Sequence, residues 1–294
     1  MKSFNEIYQN VYKESAEPLE EMRRKTKNEI IFVQIFAIII GIILMLLTKQ
    51  ILFVFLAIVI AVIYSGCSRN HRQYTTMFKN DIIKKFIKEY NENLEYEPNS
   101  GIDRLTYNKG EFESYDLFHS EDLITGTLED GCKIRMSEVK TEDETTDSEG
   151  NTETNTVFHG LFAEVKLQKL IYTDMKVRKN SISIFNKKDK IEMDSSQFEK
   201  IFNVYSTDKI IAMQLLTSDV MQMLIEFKEK YKITPEFTIT GNNLYIRFAT
   251  GGVFEAQILK KALDYDTLFK YYNIINFTLG LTEKILKNIK ETDI

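Results

Sequence analysis

The chain has 294 residues, 44% of them hydrophobic, and a formal net charge of −5. Glu142, Asp143, Glu144, Asp147, Glu149 and Glu153 supply six negative charges from one short tract, so the remainder is near neutral and lacks the basic face that nucleic-acid binding requires. Twelve glycines and three prolines exclude collagen-like and low-complexity chains, and the two cysteines, Cys67 and Cys132, cannot build a disulfide framework.

Phe4, Ile7, Tyr8, Val11 and Tyr12 recur at helical spacing and predict a short amphipathic helix in a cytosolic segment 1–29, ended or restarted by Pro18. Ile30 to Leu47 follows as eighteen residues with Gln34 the one polar member, and a second uncharged run extends from Ile51 to Ile63 or Gly66. At a rise of about 1.5 Å per residue each run covers roughly 25 Å, near the thickness of a bilayer core. Thr48, Lys49 and Gln50 are too short a link to cross a membrane, so residues 30–66 read as a two-helix transmembrane hairpin. Arg23, Arg24, Lys25 and Lys27 precede it; Arg69, Arg72, Lys79, Lys84 and Lys85 follow it; the link holds Lys49 alone. The positive-inside rule therefore places both termini, and everything after Ser68, in the cytosol. Tyr64-Ser65-Gly66-Cys67 has the outline of a lipoprotein cleavage box, but Cys67 is far from the N-terminus and Tyr64 stands where an aliphatic residue belongs.

Within 67–97, Phe78, Ile82, Ile83, Phe86, Ile87, Tyr90 and Leu94 predict a juxtamembrane amphipathic helix. Its apolar stripe is read as a packing face, with a membrane-surface helix using Lys79, Lys84, Lys85 and Lys88 as the alternative. Pro98-Asn99-Ser100-Gly101 opens a cytosolic α+β domain, 98–294. From Asp103 to Phe185 the pattern is that of strands: Lys133 to Val139 and Thr156 to Ala163 alternate, and between them the tract 141–155 reads as a flexible acidic loop turning at Ser148-Glu149-Gly150. Its carboxylates lack the spacing of an EF-hand. After Asp194, Ser195 or Ser196 caps a turn through Phe198 and Ile201, Asp208 to Leu216 is helical, and Ser218 caps a helix to Tyr231. Phe237–Ile239 and Leu244–Phe248 flank Gly241-Asn242-Asn243 as a hairpin. Leu268, Tyr272, Ile275, Leu279, Thr282, Leu286 and Ile289, with a second stripe of Phe269, Phe277, Leu281 and Ile285, predict a long amphipathic final helix covered on both sides, by its own domain and by a second copy in a homodimer.

No residue pattern identifies a reaction. His71 lies at the membrane boundary, Ser120 beside His119 shows no nucleophile–base geometry, and Gly251-Gly252 lacks the glycine and lysine of a phosphate loop. The candidate polar cluster is His119, Glu121, Asp122 and His159; with Cys132 added, its spacing matches no zinc site. No catalytic residue, metal or cofactor is assigned.

Several short signatures occur in a fixed order: Leu94-Glu95-Tyr96-Glu97-Pro98 with Gly101-Ile102; Ser120-Glu121-Asp122-Leu123-Ile124-Thr125-Gly126; Ser137-Glu138-Val139; Val157-Phe158-His159-Gly160-Leu161-Phe162; Phe198 to Ser206; Ala212 with Leu215-Leu216-Thr217; Asn243-Leu244-Tyr245-Ile246; and Phe254-Glu255. Their order resembles a bacterial membrane-protein family catalogued as domain-of-unknown-function family 3137. The resemblance implies a membrane-anchored α+β domain and no known activity. The expected fold class is thus α+β: an N-terminal transmembrane helical hairpin followed by a cytosolic mixed strand/helix domain ending in a long amphipathic helix. The expected role is a membrane-anchored interaction or scaffold module in the bacterial cytoplasmic membrane, with the lipid bilayer and a protein partner as its contacts and no nucleic acid. The alternative is a membrane-bound enzyme with a non-standard site near Ser120–Asp122 and His159.

Overall fold

A computed structural model describes residues 2–128, 131–180 and 189–291. The architecture is mixed α/β, with an antiparallel seven-stranded sheet and a long N-terminal apolar helix. The chain packs as two compact units, one running up to Asn91 and including Phe254–Lys270, the other Glu92–Val253 with the chain from Tyr271 onwards.

The first unit is built on α1 (Phe4–Thr48). Its N-terminus is closed by a capping box: the Ser3 N–H donates to Glu6 Oε2 at 2.7 Å and the Glu6 N–H to Ser3 Oγ at 3.4 Å, satisfying donors that the first helical turn leaves open. Pro18 neither ends nor restarts the helix, which runs through it. An internal proline removes one backbone hydrogen bond and costs about 3 kcal/mol, but the buried face continues across it through Phe4, Ile7, Val11, Leu19 and Thr26, and that packing outweighs the loss. The Arg23 guanidinium donates to the Ile258 carbonyl at 2.6 Å and the Tyr74 hydroxyl to that of Gln257 at 3.2 Å, tying the returning 254–270 segment to this unit. Helix α2 (Leu52–Cys67) lies against α1 at Gly41, where a Cβ would stand 3.0 Å from Val54 Cα. After a 41° bend the chain continues through α3 (Arg69–Met77), a π-helical turn (Phe78–Ile83) and α4 (Lys84–Tyr90). Phe78, Ile82, Ile83, Phe86, Ile87 and Tyr90 are all buried, so the predicted stripe is a packing face. The helix stops at Tyr90, however. Leu94, four residues on and therefore in helical phase, opens strand β1 (Leu94–Glu97), which pairs with β2.

In the second unit, β1, β2 (Leu117–Thr127), β3 (Lys133–Thr146) and β4 (Thr152–Lys179) pair in sequence order, all antiparallel. The short helix α5 (Arg104–Asn108) sits in the β1–β2 connection, capped by Asp103. The far end of β4 pairs with β6 (Phe202–Ser206), which pairs with β5 (Lys190–Ile191). The end of the predicted strand region, through Phe185, lies outside the described residues. Two expectations change here. The acidic tract is mostly ladder rather than loop: β3 reaches Thr146, β4 starts at Thr152, and besides the turn between them the register shifts at Thr141/Glu142. The four acids within the ladder oppose neutral residues, Glu142 with Thr156, Asp143 with Asn155, Glu144 with Thr154 and Glu153 with Thr145, so no like charges face each other there and β-branched threonines fill most of the pairs. Gly241-Asn242-Asn243 is not a hairpin turn either. β7 (Pro235–Phe248) passes straight through it and pairs along β4, from Phe237 with Val177 to Phe248 with Leu161. Gly241, at φ +57°, marks a register irregularity where β4 carries extra residues, so a positive-φ glycine that looks like a turn is a bulge.

Helices α6 (Ser196–Glu199), α7 (Lys209–Leu215), α8 (Ser218–Tyr231) and α9 (Tyr265–Glu291) complete the chain. Thr217, not Ser218, holds the cap position of α8. On one sheet face Ile134, Met136, Ala163, Val165, Leu244, Ile246 and Phe248 are buried. Phe248 meets Phe227 of α8 at 5.7 Å and Phe277 of α9 at 5.8 Å between ring centroids. The other face carries a second cluster, Ile102, Tyr107, Phe112, Val139, Phe158, Phe162 and Tyr245. Burying each such aromatic contributes about 1.5–3 kcal/mol.

The α8–α9 pairing has one titrating link. A hydrogen bond from the Lys284 ammonium, then one from Thr217, hold the Asp219 carboxyl down at about 2 against an ordinary 3.8. Because the folded state favours the charged form, this stability is present above pH 3.8 and is lost as pH falls towards 2. The pair is exposed and screened, so Asp219→Asn is expected to remove only about 0.5 kcal/mol at pH 6 and nothing at pH 2. Urea midpoints at both pH values check this.

Candidate functional site

The register brings part of the predicted cluster together. His119, Lys140 and His159 oppose one another across β2, β3 and β4, and Glu121 opposes Glu138 in the neighbouring row. Alternation along each strand puts these five residues on one face. The centre is Glu138, 6% exposed, whose Oε1 lies 2.7 Å from His159 Nε2 and whose Oε2 accepts the Val253 N–H at 2.6 Å. The Gly251 N–H donates to the His159 carbonyl at 3.1 Å, so the chain after β7 is sewn onto β4 beside this pair. Gly160 makes that possible: a Cβ there would lie 1.9 Å from the Phe248 carbonyl oxygen.

The other predicted residues do not join this centre. The His119 side chain is 69% exposed and stands 3.9 Å from Glu142. Asp122 is buried in the β2 irregularity at φ +60°, where it accepts a hydrogen bond from the Tyr96 hydroxyl. Ser120 falls on the opposite sheet face from the histidines, its Oγ 2.7 Å from Ser137 Oγ and donating to the Glu138 carbonyl at 3.0 Å. Cys132 is buried at the far end of the β2–β3 hairpin, eight positions along the chain from Lys140. The arrangement ties strands together; it does not set a base beside a nucleophile. Glu138 was legible only as part of the Ser137-Glu138-Val139 signature, and its bond to Val253 spans a sequence separation that no local pattern reports.

A second polar centre has no sequence signal at all. Arg178 and Arg247 each stand 4.4 Å from the Phe112 ring centroid. Arg247 pairs with Glu113, and with Glu236 at 2.7 Å, while the Tyr107 hydroxyl donates to Glu113 at 2.6 Å. Arg178 donates to the carbonyls of Phe237 at 2.7 Å and Gly110 at 2.8 Å. Burial pulls both guanidinium groups down, Arg178 to about 10, pushes the Tyr107 hydroxyl up to about 12 and raises the Glu236 carboxyl. The sequence singles out neither arginine; Tyr107, Gly110, Phe112 and Glu113, from the β1–β2 connection, enclose them.

No curated protein matches the chain. Among solved structures, it aligns with the crystal structure of the mycobacterial trehalose monomycolate transport factor A, TtfA, at a TM-score of 0.37 and 9% identity over 65% of this chain and 92% of that one, a likeness too slight to carry an argument. Residues 156–287, which include the Val157–Phe162, Phe198–Ser206, Leu215–Thr217 and Asn243–Ile246 signatures, match the family described as "Protein of unknown function (DUF3137)", in agreement with the resemblance read from those signatures.

Proposed function

We propose that this chain is a membrane-anchored, cytosol-facing interaction module: residues 30–66 cross the bacterial cytoplasmic membrane twice as a hairpin, and the body binds a protein partner rather than turning over a substrate. The observation that carries the reading is the apolar surface of α1 and α2. Phe32, Leu46, Leu47, Leu52 and Ile63 are between 62% and 75% exposed, and only 6% of the most apolar window of α1 is buried. Such a surface needs a cover, and helices whose backbone bonds are internally satisfied can take lipid as that cover. The basic residues that flank 30–66 support cytosolic termini. Non-enzymatic action draws support from the mutual satisfaction of Glu138, His159 and Val253, and from Ser120 lying on the face opposite the histidines. Tethering would raise the local concentration of the body against any partner at the same surface.

The expected result is a chain that sediments with membranes and leaves them only in detergent. A C-terminal fluorescent-protein fusion should glow in a bacterial host, a C-terminal alkaline-phosphatase fusion should stay silent, and protease outside spheroplasts should spare the body. Recovery of the full-length chain in the high-speed supernatant would overturn the anchor; an active phosphatase fusion would overturn the orientation.

A further inference from the structure

At the end of the sheet away from His159, four strands form a charged groove of about 470 Å³. Thr127, Lys133, Lys166 and Asn243 form one register row across β2, β3, β4 and β7; Thr125, Arg135, Glu164 and Tyr245 form the next, two residues along and so on the same face. Lys109 and Asn242 complete the rim. The charges divide into two sets. Arg135 is committed to Glu164 at 2.5 Å and to Thr106 at 3.1 Å. Lys109, Lys133 and Lys166 have no ion-pair partner among the described residues, so three ammonium groups outside any described ion pair line the groove.

A buried hydroxyl beside the groove, on a residue outside its lining, supplies an independent sign. Tyr245 is 0% exposed, and its hydroxyl has no hydrogen-bond partner among the described residues, although a buried unpaired hydroxyl costs about 1–3 kcal/mol. Its charged neighbours are Glu164 and Arg135, which line the groove. A fold built for stability alone would do as well with phenylalanine here. We propose that this groove binds a phosphate monoester on a small polyol, with Lys109, Lys133 and Lys166 neutralising the dianion and Tyr245, whose buried hydroxyl the ligand must first uncover, donating to one of its oxygens. A single carboxylate would leave most of that positive charge unmatched. The volume suits a group of glycerol-phosphate to sugar-phosphate size, which a free metabolite or a lipid headgroup can both present.

The test uses the full-length chain in phosphatidylcholine nanodiscs, titrated by calorimetry with glycerol 3-phosphate and, separately, with short-chain phosphatidic acid below its micelle concentration. Binding with a Kd below about 1 mM is expected for at least one. Glycerol 3-phosphate alone identifies a free metabolite as the source, phosphatidic acid alone identifies a headgroup, and binding of both shows that the phosphoryl group itself is read. Lys133→Gln with Lys166→Gln should weaken binding about tenfold or more by removing two charge-assisted contacts. Tyr245→Phe should weaken it severalfold while leaving thermal stability unchanged or higher, a combination that a purely structural tyrosine would not give. Failure of both probes to bind at about 1 mM, or binding indifferent to the lysine pair, overturns the site; binding indifferent to Tyr245→Phe overturns the role of the hydroxyl. None of these readouts depends on which side of the membrane the body occupies, so they fail or succeed separately from the anchoring proposal.

Discussion

Gly160→Ala is expected to destabilise the body by about 3 kcal/mol or more, since overpacking against backbone leaves no flexible atom to move aside. The new Cβ would lie 1.9 Å from the Phe248 carbonyl oxygen and 2.8 Å from the Thr250 nitrogen. To relieve that contact, the chain after β7 would have to lift off β4. Lifting it breaks the Gly251 bond to the His159 carbonyl and takes the Val253 N–H away from Glu138. For a body of this size the loss corresponds to a drop of roughly 6–12 °C in thermal midpoint. Gly66→Ala, where an added Cβ meets nothing within 4 Å, is the matched control. A melt of Gly160→Ala within a degree of the control would show that the post-β7 segment is not held as described.

Arg247→Met should cost about 3–5 kcal/mol, the penalty for leaving buried charge unpaired. The arginine lies between Glu113 and Glu236, and its side chain and theirs are all less than 17% exposed. Methionine can supply an apolar chain, but neither the charge nor the guanidinium that lies over the Phe112 and Phe158 rings. The sign of the pH dependence follows from burial, which already raises the Glu236 carboxyl above its ordinary 4.5. A carboxyl raised in the folded state takes up a proton more readily there than in the unfolded chain, so folding is favoured as pH falls through the raised value and disfavoured as it rises. The variant should therefore lose more stability at pH 8 than at pH 5, and Glu236→Gln in the same background should flatten that difference. Urea unfolding at the two pH values measures both, and an equal loss at each would contradict the account of the pair.

The site was legible in pieces. His159 and Gly160 stood out as a signature, and both turn out to matter for how the post-β7 chain docks, one through Glu138 and one through the absence of a side chain. The proximity of His119, Glu121 and Asp122 in sequence suggested a single cluster. Strand alternation keeps His119 and Glu121 on one sheet face, whereas the irregularity at Asp122 turns that residue away to the Tyr96 hydroxyl. The lysines of the groove were equally invisible, because Lys133 and Lys166 meet only through the register of β3 and β4, and Lys109 reaches the groove from the β1–β2 connection.

What sequence alone determined is whatever a window of ten to twenty residues encodes: the apolar lengths of 30–47 and 51–66, the buried stripe from Phe78 to Tyr90, the alternation of β3 and β4, a cap at Ser195 or Ser196 and the helix from Asp208. Hydrophobic period and capping chemistry are local, so they survive without knowledge of neighbours. Only the tertiary structure decided that Pro18 stays inside a helix, that Leu94 leaves one for a strand, that the acidic tract is ladder and that Gly241 is a bulge. In each case the local signal was ambiguous or contrary, and the outcome was set by backbone partners and buried surface contributed from elsewhere in the chain. The free energy of those long-range contacts exceeds the propensity of any single residue.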